Sequence, residues 1–216
     1  MATRNSITVI VPTLNRPSLV KKCLESVAKQ TLQPTECVIV DQSDNEDTKK
    51  LLEEMDMKNI QKIHVKQKIK SLLLARNRGL DEAGDTEYIC FLDDDIQIYP
   101  NYLEILAKRL EEDREKKYAG GMGTYDVLNW RRDYFAEFFM MPHFGDGKFL
   151  ANGMPTFPHC LQKYSDVEFL SGGMTIFRNP ILKIRKAWKS GAISFLWLGV
   201  EQIDILAKRY LNKFVL

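Results

Sequence analysis

The 216-residue sequence predicts an open α/β fold, a largely parallel sheet covered by helices on both faces. Three observations carry that prediction. Short β-branched runs alternate with segments of helical spacing through residue 113. Three of the runs end in polar loops, "PTLNR", "DQSDN" and "DDD", which parallel strands would gather along one edge of the sheet. At 44% hydrophobic residues, the chain can also bury a substantial core.

In chain order, "ITVIVP" (7–12) reads as a buried strand ended by proline. "PSLVKKCLESVAKQT" (17–31) has apolar residues at Leu19, Val20, Cys23, Leu24 and Val27, a helical spacing, with Pro17 suited to the first turn. "ECVIVD" (36–41) is a second buried strand, followed by the acidic loop "DQSDNED". "TKKLLEEM" (48–55) reads as a helix and "IQKIHVKQ" (60–67) as a weaker strand. "SLLLARNRGLDEAG" (71–84) reads as a helix ended near Gly84, and "EYICFLDDD" (87–95) as a strong strand. "PNYLEILAKRLEED" (100–113) is a helix opened by Pro100.

After residue 113 the pattern changes. Residues 125–160 are rich in aromatics, Gly and Pro and lack periodicity, so an irregular insertion over the sheet edge is expected there. "VEFLSGGMTIFRNPIL" (167–182) gives two apolar stretches around a glycine pair, and "EQIDILAKRYLNKFVL" (201–216) has the spacing of an amphipathic helix. One domain, residues 1–216, accounts for the length.

Composition narrows the function classes. A formal net charge of +2, from 31 basic and 29 acidic residues, predicts no general attraction to nucleic acid. The four cysteines, Cys23, Cys37, Cys90 and Cys160, form no C-x-x-C pair, which argues against a disulfide framework or zinc site and for a cytoplasmic setting. "MATRNSITVIVP" lacks the apolar core of a secretory signal, and no apolar stretch reaches the roughly 20 residues needed to span a bilayer.

The triplet Asp93-Asp94-Asp95 follows the apolar run "YICFL". Two carboxylates ~4 Å apart repel by about 4 kcal/mol at the effective dielectric of a protein surface. If the strand continues through Asp95, alternation puts Asp93 and Asp95 on one side and Asp94 on the other. Such a pair can offer oxygens to Mg²⁺ or Mn²⁺, with waters and phosphates completing the shell.

Five stretches in order, "VIVPTLNRPSLVKKCLESVAKQT", "CVIVDQSDN", "ARNRGL", "FLDDDI" and "FLSGGMTIFR", resemble family 2 glycosyltransferases of the GT-A fold. The resemblance runs from about Ile7 to Tyr210, nearly the whole chain. It implies a nucleotide-diphosphate-sugar donor bound to residues 1–113, with residues 114–216 on the acceptor side. By similarity, Pro12, Thr13, Asn15 and Arg16 would lie against the nucleotide and Asp41 would bond the base, with UDP-sugars favoured. Arg76 would reach the base or pyrophosphate, and Asn77 and Gly79 would pack its helix against the nucleotide loop. Asp93 and Asp95 match the family's Asp-x-Asp, giving Mn²⁺ or Mg²⁺ as cofactor, with Asp95 the direct ligand and Asp93 or Asp94 touching the ribose or completing the metal's water shell. Gly172 and Gly173 match the stretch lining the sugar and acceptor.

Most members of that family invert the anomeric centre and need a carboxylate base near the acceptor hydroxyl. The usual Glu-Asp pair is here Glu201-Gln202, and a neutral amide cannot take a proton at pH 7. Glu201 is therefore the expected base, Asp204 the alternative one helical turn on, and Asp166 and Glu168 weaker candidates. His143 and His159, and the ring-bearing Trp130, Tyr134, Phe135, Phe138 and Phe139, lie in the insertion. The rings suit stacking on sugars or covering the core. The resemblance also implies a saccharide or lipid-linked hydroxyl acceptor, peripheral contact with the inner membrane face, and relatives that continue past "NKFVL". Two alternatives stay open: a non-catalytic sugar-nucleotide-binding module, and a nucleotidyltransferase of similar fold. The second would normally carry a Gly- and Lys-rich phosphate loop that "PTLNRPS" does not resemble.

Overall fold

A computed structural model of the chain describes residues 6–115, 118–124, 134–139, 141, 145, 147–151, 154, 156–157, 165–168, 170 and 173–179, and the backbone of 213–215. Strands β1 (Ile7–Thr13), β2 (Glu36–Asp41), β3 (Gln61–Lys66) and β4 (Tyr88–Leu92) alternate with helices α1 (Pro17–Ala28), α2 (Asp47–Glu54) and α3 (Leu72–Glu82). There follow α4 (Tyr102–Glu112), β5 (Tyr118–Met122), α5 (Tyr134–Phe138), β6 (Asp166–Val167), β7 (Met174–Arg178) and β8 (Lys213–Val215).

The strands form one sheet in the order β3-β2-β1-β4-β7-β5-β8-β6. β1 pairs in parallel with β2 and β4, and β2 with β3. β7 is antiparallel to both β4 and β5, so β5 runs in the direction of β4. The observed class is the predicted one, a mixed α/β fold with a mainly parallel sheet between helices.

Alternation along the strands divides the core into two layers. Ile7, Val9 and Val11 of β1, Cys37 and Ile39 of β2, and Tyr88, Cys90 and Leu92 of β4 face one layer. There they meet Val20, Cys23, Leu24 and Val27 of α1 and Leu103, Leu106, Ala107 and Leu110 of α4, both spaced for one helix face. Ile10, Val38, Val40, Ile89 and Phe91 face the other layer, where α3 contributes Ala75 and Leu80. The thiols of Cys23, Cys37 and Cys90 are buried and unbridged.

Gly79 brings α3 down onto β1. A Cβ at this position would collide with the side chain of Ile10, which is fully buried. The close approach is thus to the sheet core rather than to the nucleotide loop. Gly79→Ala is expected to lower stability by about 1 kcal/mol in urea denaturation, because overpacking of about 1–3 kcal/mol outweighs the helix-propensity gain. An unchanged midpoint would show that α3 shifts freely.

Three elements differ from expectation. β4 ends at Leu92 rather than Asp95: the Asp93 N–H still bonds Gly173 O at 2.8 Å, but the Ile96 N–H then turns back to Asp93 O at 3.2 Å. The turn lets Asp93 face Arg76 and Asp94 face Thr13. β5 escaped the sequence reading because "YAGGM" has low strand propensity. Gly120 is nonetheless required, since a Cβ there would strike Ile176 O on β7. Lys213–Val215, expected as helix, is a strand pairing in parallel with β5 and antiparallel to β6. Ladder partners on both sides outrank the 3.6-residue pattern; residues 201–212 of the expected helix lie outside the described residues.

Candidate functional site

Parallel pairing brings the carboxyl ends of β1, β2 and β4 to one edge, where a cleft of about 340 Å³ opens. Pro12, Thr13 and Arg16 line it from the β1 end, Gln42 from the β2 end, Lys70 and Ser71 from the start of α3, and Asp93, Asp94 and Asp95 from the β4 end. The sequence reading missed Gln42, Lys70 and Ser71. A signal was available: Ser71 stands before "LLLARN" as an N-cap, and its Oγ accepts the Leu74 N–H at 3.4 Å.

The loops around the cleft are tied together by backbone bonds. The Gln42 N–H donates to Thr13 O at 2.9 Å. Asn15 has φ of +56°, a left-handed conformation that Asn tolerates better than most residues, and its N–H donates to Ser43 Oγ at 2.7 Å. Asn15 does not itself line the cleft.

Arg76, Thr13 and Arg16 partner the three carboxylates, with Arg16 shared between Asp94 and Asp95, and this offsets their repulsion. Arg76, nearly buried on α3, donates to Asp93 Oδ1 at 2.8 Å and sits 5.8 Å from the centre of the Phe91 ring. Thr13 Oγ1 donates to Asp94 Oδ2 at 2.7 Å, and Arg16 Nη1 lies 3.4 Å from Asp94 Oδ1. The same Arg16 nitrogen is 3.8 Å from Asp95 Oδ2, and Asp95 remains 55% exposed at its side chain. Burial pushes the Asp93 carboxyl above the usual carboxylate range; Arg76 pulls it back, while Asp95 and Asp94 add to the rise.

Asp41 lies behind the cleft wall and is fully buried. The Ser43 N–H donates to its Oδ1 at 2.9 Å, while His64 Nε2 and Lys66 Nζ lie 3.1 Å and 3.2 Å from Oδ2. Burial alone would raise its pKa, but bonds from Ser43, His64 and Lys66 hold it below the ordinary value. Asp41 and Arg76 therefore act as struts in this geometry, and neither lines the cleft.

On the other side of β4, Gly173 O receives the Asp93 N–H. Tyr102 Oη donates to Met174 O at 2.8 Å and accepts the Gly123 N–H at 3.2 Å, joining the ends of β7 and β5 beside the triplet. Gly172, Glu201, Asp204, His143, His159 and Trp130 lie outside the described residues. Asp166 is on β6, four strands from β4, roughly 19 Å at normal strand spacing, and accepts from Tyr118 Oη at 2.8 Å. Glu168 Oε2 accepts the Phe149 N–H at 3.2 Å. Tyr134, Phe135 and Phe138 are 71%, 67% and 80% exposed, so they do not form a packed cover over the core.

Fold and cleft together define an open α/β protein with a cleft at the carboxyl ends of its parallel strands, where such sheets commonly take ligands. The chain belongs to a family described as glycosyl transferase family 2, whose model matches residues 8–184. An uncharacterised glycosyltransferase of Rickettsia bellii is 32% identical over 93% of this chain and 27% of its own length. The GalNAc(5)-diNAcBac-PP-undecaprenol β-1,3-glucosyltransferase of Campylobacter jejuni is 31% identical over 49% of this chain and 35% of its own. The chain thus spans about a third or less of the length of these curated relatives. Among solved structures, S. aureus TarS 1–349 in complex with UDP-GlcNAc is similar in fold, with a TM-score of 0.58, 20% identity, and coverage of 84% of this chain and 47% of that one. Among the described residues, no helix is long and apolar enough to cross a membrane.

Proposed function

We propose that this chain binds a nucleoside-diphosphate sugar, UDP-linked in preference to others, and transfers the sugar with inversion to a hydroxyl acceptor. The observation that carries the reading is one cleft holding the Asp triplet opposite Arg16, Lys70 and the N-terminal end of α3. A diphosphate needs that mixture: cations and helix N–H groups for its charge, and carboxylates for a divalent metal that bridges to it. The UDP-GlcNAc complex of the similar TarS fold supports the choice of donor.

The donor set fits Mn²⁺ or Mg²⁺ of the type that keeps waters and phosphate oxygens in its shell. Among the described residues there is no cluster of three or more protein ligands, while such ions are commonly held by one or two carboxylates. Asp95, exposed at the cleft, would hold the metal with the Asp93 oxygen not bonded to Arg76; Asp94 is turned toward Thr13 and Arg16. When bound, the ion would neutralise the leaving diphosphate. Arg16 and Lys70 would orient the phosphates and Pro12 and Thr13 the nucleoside end, with Asn15 holding their loop against Ser43, and Gly172 and Gly173 would line the sugar. Arg76 and Asp41 would support the site from behind. Glu201, or Asp204, would take the acceptor proton. The Campylobacter relative acts on an undecaprenyl-diphosphate-linked glycan, which favours a lipid-linked acceptor at the inner membrane face.

UDP and GDP titrations with and without Mn²⁺ test this reading. Wild-type protein is expected to bind UDP at least tenfold more tightly with Mn²⁺, and Asp95→Asn to lose most of that gain. Equal, metal-independent binding by both proteins would remove Asp95 from its role. No binding by the wild type would overturn the donor site as a whole.

A further inference from the structure

We propose that Arg16 makes metal binding conditional on the diphosphate: its guanidinium competes with a divalent ion for Asp95, and the diphosphate draws it away. The inference rests on the cleft taking a metal and a diphosphate, as proposed above, and adds a role for a residue that is not itself a metal ligand.

The cations around the cleft differ in how firmly they are held. Arg76 is 6% exposed at its side chain and bonds Asp93 Oδ1 at 2.8 Å. Lys70 pairs at 2.6 Å with Asp44, outside the triplet. Arg16 spreads one nitrogen over two carboxylates, 3.4 Å from Asp94 and 3.8 Å from Asp95, and is 55% exposed at its side chain. Among the described residues it is the only cation within 4 Å of Asp95.

A positive charge so close to Asp95 opposes the entry of a divalent ion. The pair is nonetheless long and exposed on both sides, the kind that contributes little stability and is easily given up. Little else is lost when it opens. Thr13 Oγ1 still donates to Asp94 Oδ2 at 2.7 Å. The Arg16 carbonyl accepts the Leu19 and Val20 N–H groups at 3.0 Å and 3.1 Å, so the side chain can swing from a fixed backbone.

A diphosphate gives the guanidinium a better partner, because its planar fork matches phosphate oxygens and both sides of the bond are charged. With Arg16 turned to the phosphates, Asp95 is released to the ion. By linkage, ion and nucleotide then raise each other's affinity by the same factor, part of which comes from Arg16.

Titration calorimetry would compare wild type with Arg16→Met, adding Mn²⁺ to nucleotide-free protein and UDP to protein with Mn²⁺. Arg16→Met is expected to bind Mn²⁺ alone about three- to tenfold more tightly. With Mn²⁺ present it should bind UDP about tenfold more weakly. Opposite signs are the signature, since a residue that only shaped the loop would weaken both. The gain in Mn²⁺ affinity should vanish when Asp95→Asn is added. Arg16→Gln, also uncharged, serves if the Met variant does not fold. Mn²⁺ binding no tighter than in the wild type, UDP binding no weaker, or a gain that survives Asp95→Asn overturns this inference, while UDP binding by the wild type leaves the donor site intact. Failure of the wild type to bind UDP with Mn²⁺ overturns both.

Discussion

Arg178→Ala is expected to cost about 3–5 kcal/mol of folding free energy, the range for removing one partner of a buried ion pair. Arg178 is buried on β7, and its Nη2 donates to Leu110 O, to Asp113 O at 3.3 Å and to Asp113 Oδ2 at 3.3 Å. Its Nε donates to Tyr118 O at 3.0 Å. One guanidinium thus closes the carboxyl end of α4, where positive charge is favoured, and anchors the start of β5. Alanine takes the guanidinium away from the Asp113 carboxylate, whose side chain is 7% exposed and which keeps the Tyr118 N–H at 2.8 Å, and from several carbonyl oxygens. For a chain of this length the loss corresponds to a melting point lower by about 6–20 °C. Arg178→Lys, which keeps the charge and loses the fork, should fall between the two. A loss below about 1 kcal/mol would mean that water replaces the guanidinium at these acceptors.

Arg76→Ala should have the next largest effect, about 3 kcal/mol, at the lower end of the same range because the Asp93 side chain is 35% exposed. The effect depends on pH. Asp93 has its pKa raised in the folded protein, first by burial, with Arg76 opposing the rise. A carboxyl raised on folding holds its proton more tightly in the native state, so its ionisation costs stability. Stability is greatest below the unfolded carboxylate value near ~3.9 and falls as pH rises through the folded value. Without Arg76 the folded value rises further and the window widens toward neutrality. The deficit of the variant, measured in metal-free buffer, should therefore grow between about pH 4 and pH 7. A constant deficit would assign the loss to packing against Phe91 rather than to charge.

The first half of the fold was legible because its signals are local. "ITVIVP", "ECVIVD" and "EYICFL" are apolar on both faces, as strands buried between two helical layers must be, and their polar ends meet at one cleft. Arg178 was not legible, since nothing in "TIFRNP" announces that its partners lie some 60 residues earlier in the chain. The place of Gln42 in the cleft was hidden for a related reason. The acidic neighbour attracts attention in "VDQSDN", and only the fold shows Asp41 turned to His64 and Lys66 and Gln42 turned to Ser71. Asp93 and Asp95 were paired on the premise of a strand that stops at Leu92, so their exposure, not alternation, distinguishes them from Asp94. The strand at Lys213–Val215 shows the limit of periodicity, because open ladder groups on β5 and β6 are invisible to a helical wheel.

The position of β8 has a consequence for biosynthesis. It emerges from the ribosome after every other strand of the sheet, yet it lies between β5 and β6. The layer from β3 to β4, with its three helices, is complete by residue 92 and can condense during translation. The outer edge of β4 must wait for β7, some 80 residues later, and among the described residues β6 pairs with β8 alone. During that interval the nascent chain carries a formed cleft beside an open sheet edge, the state most exposed to chaperone capture or misassembly with another chain.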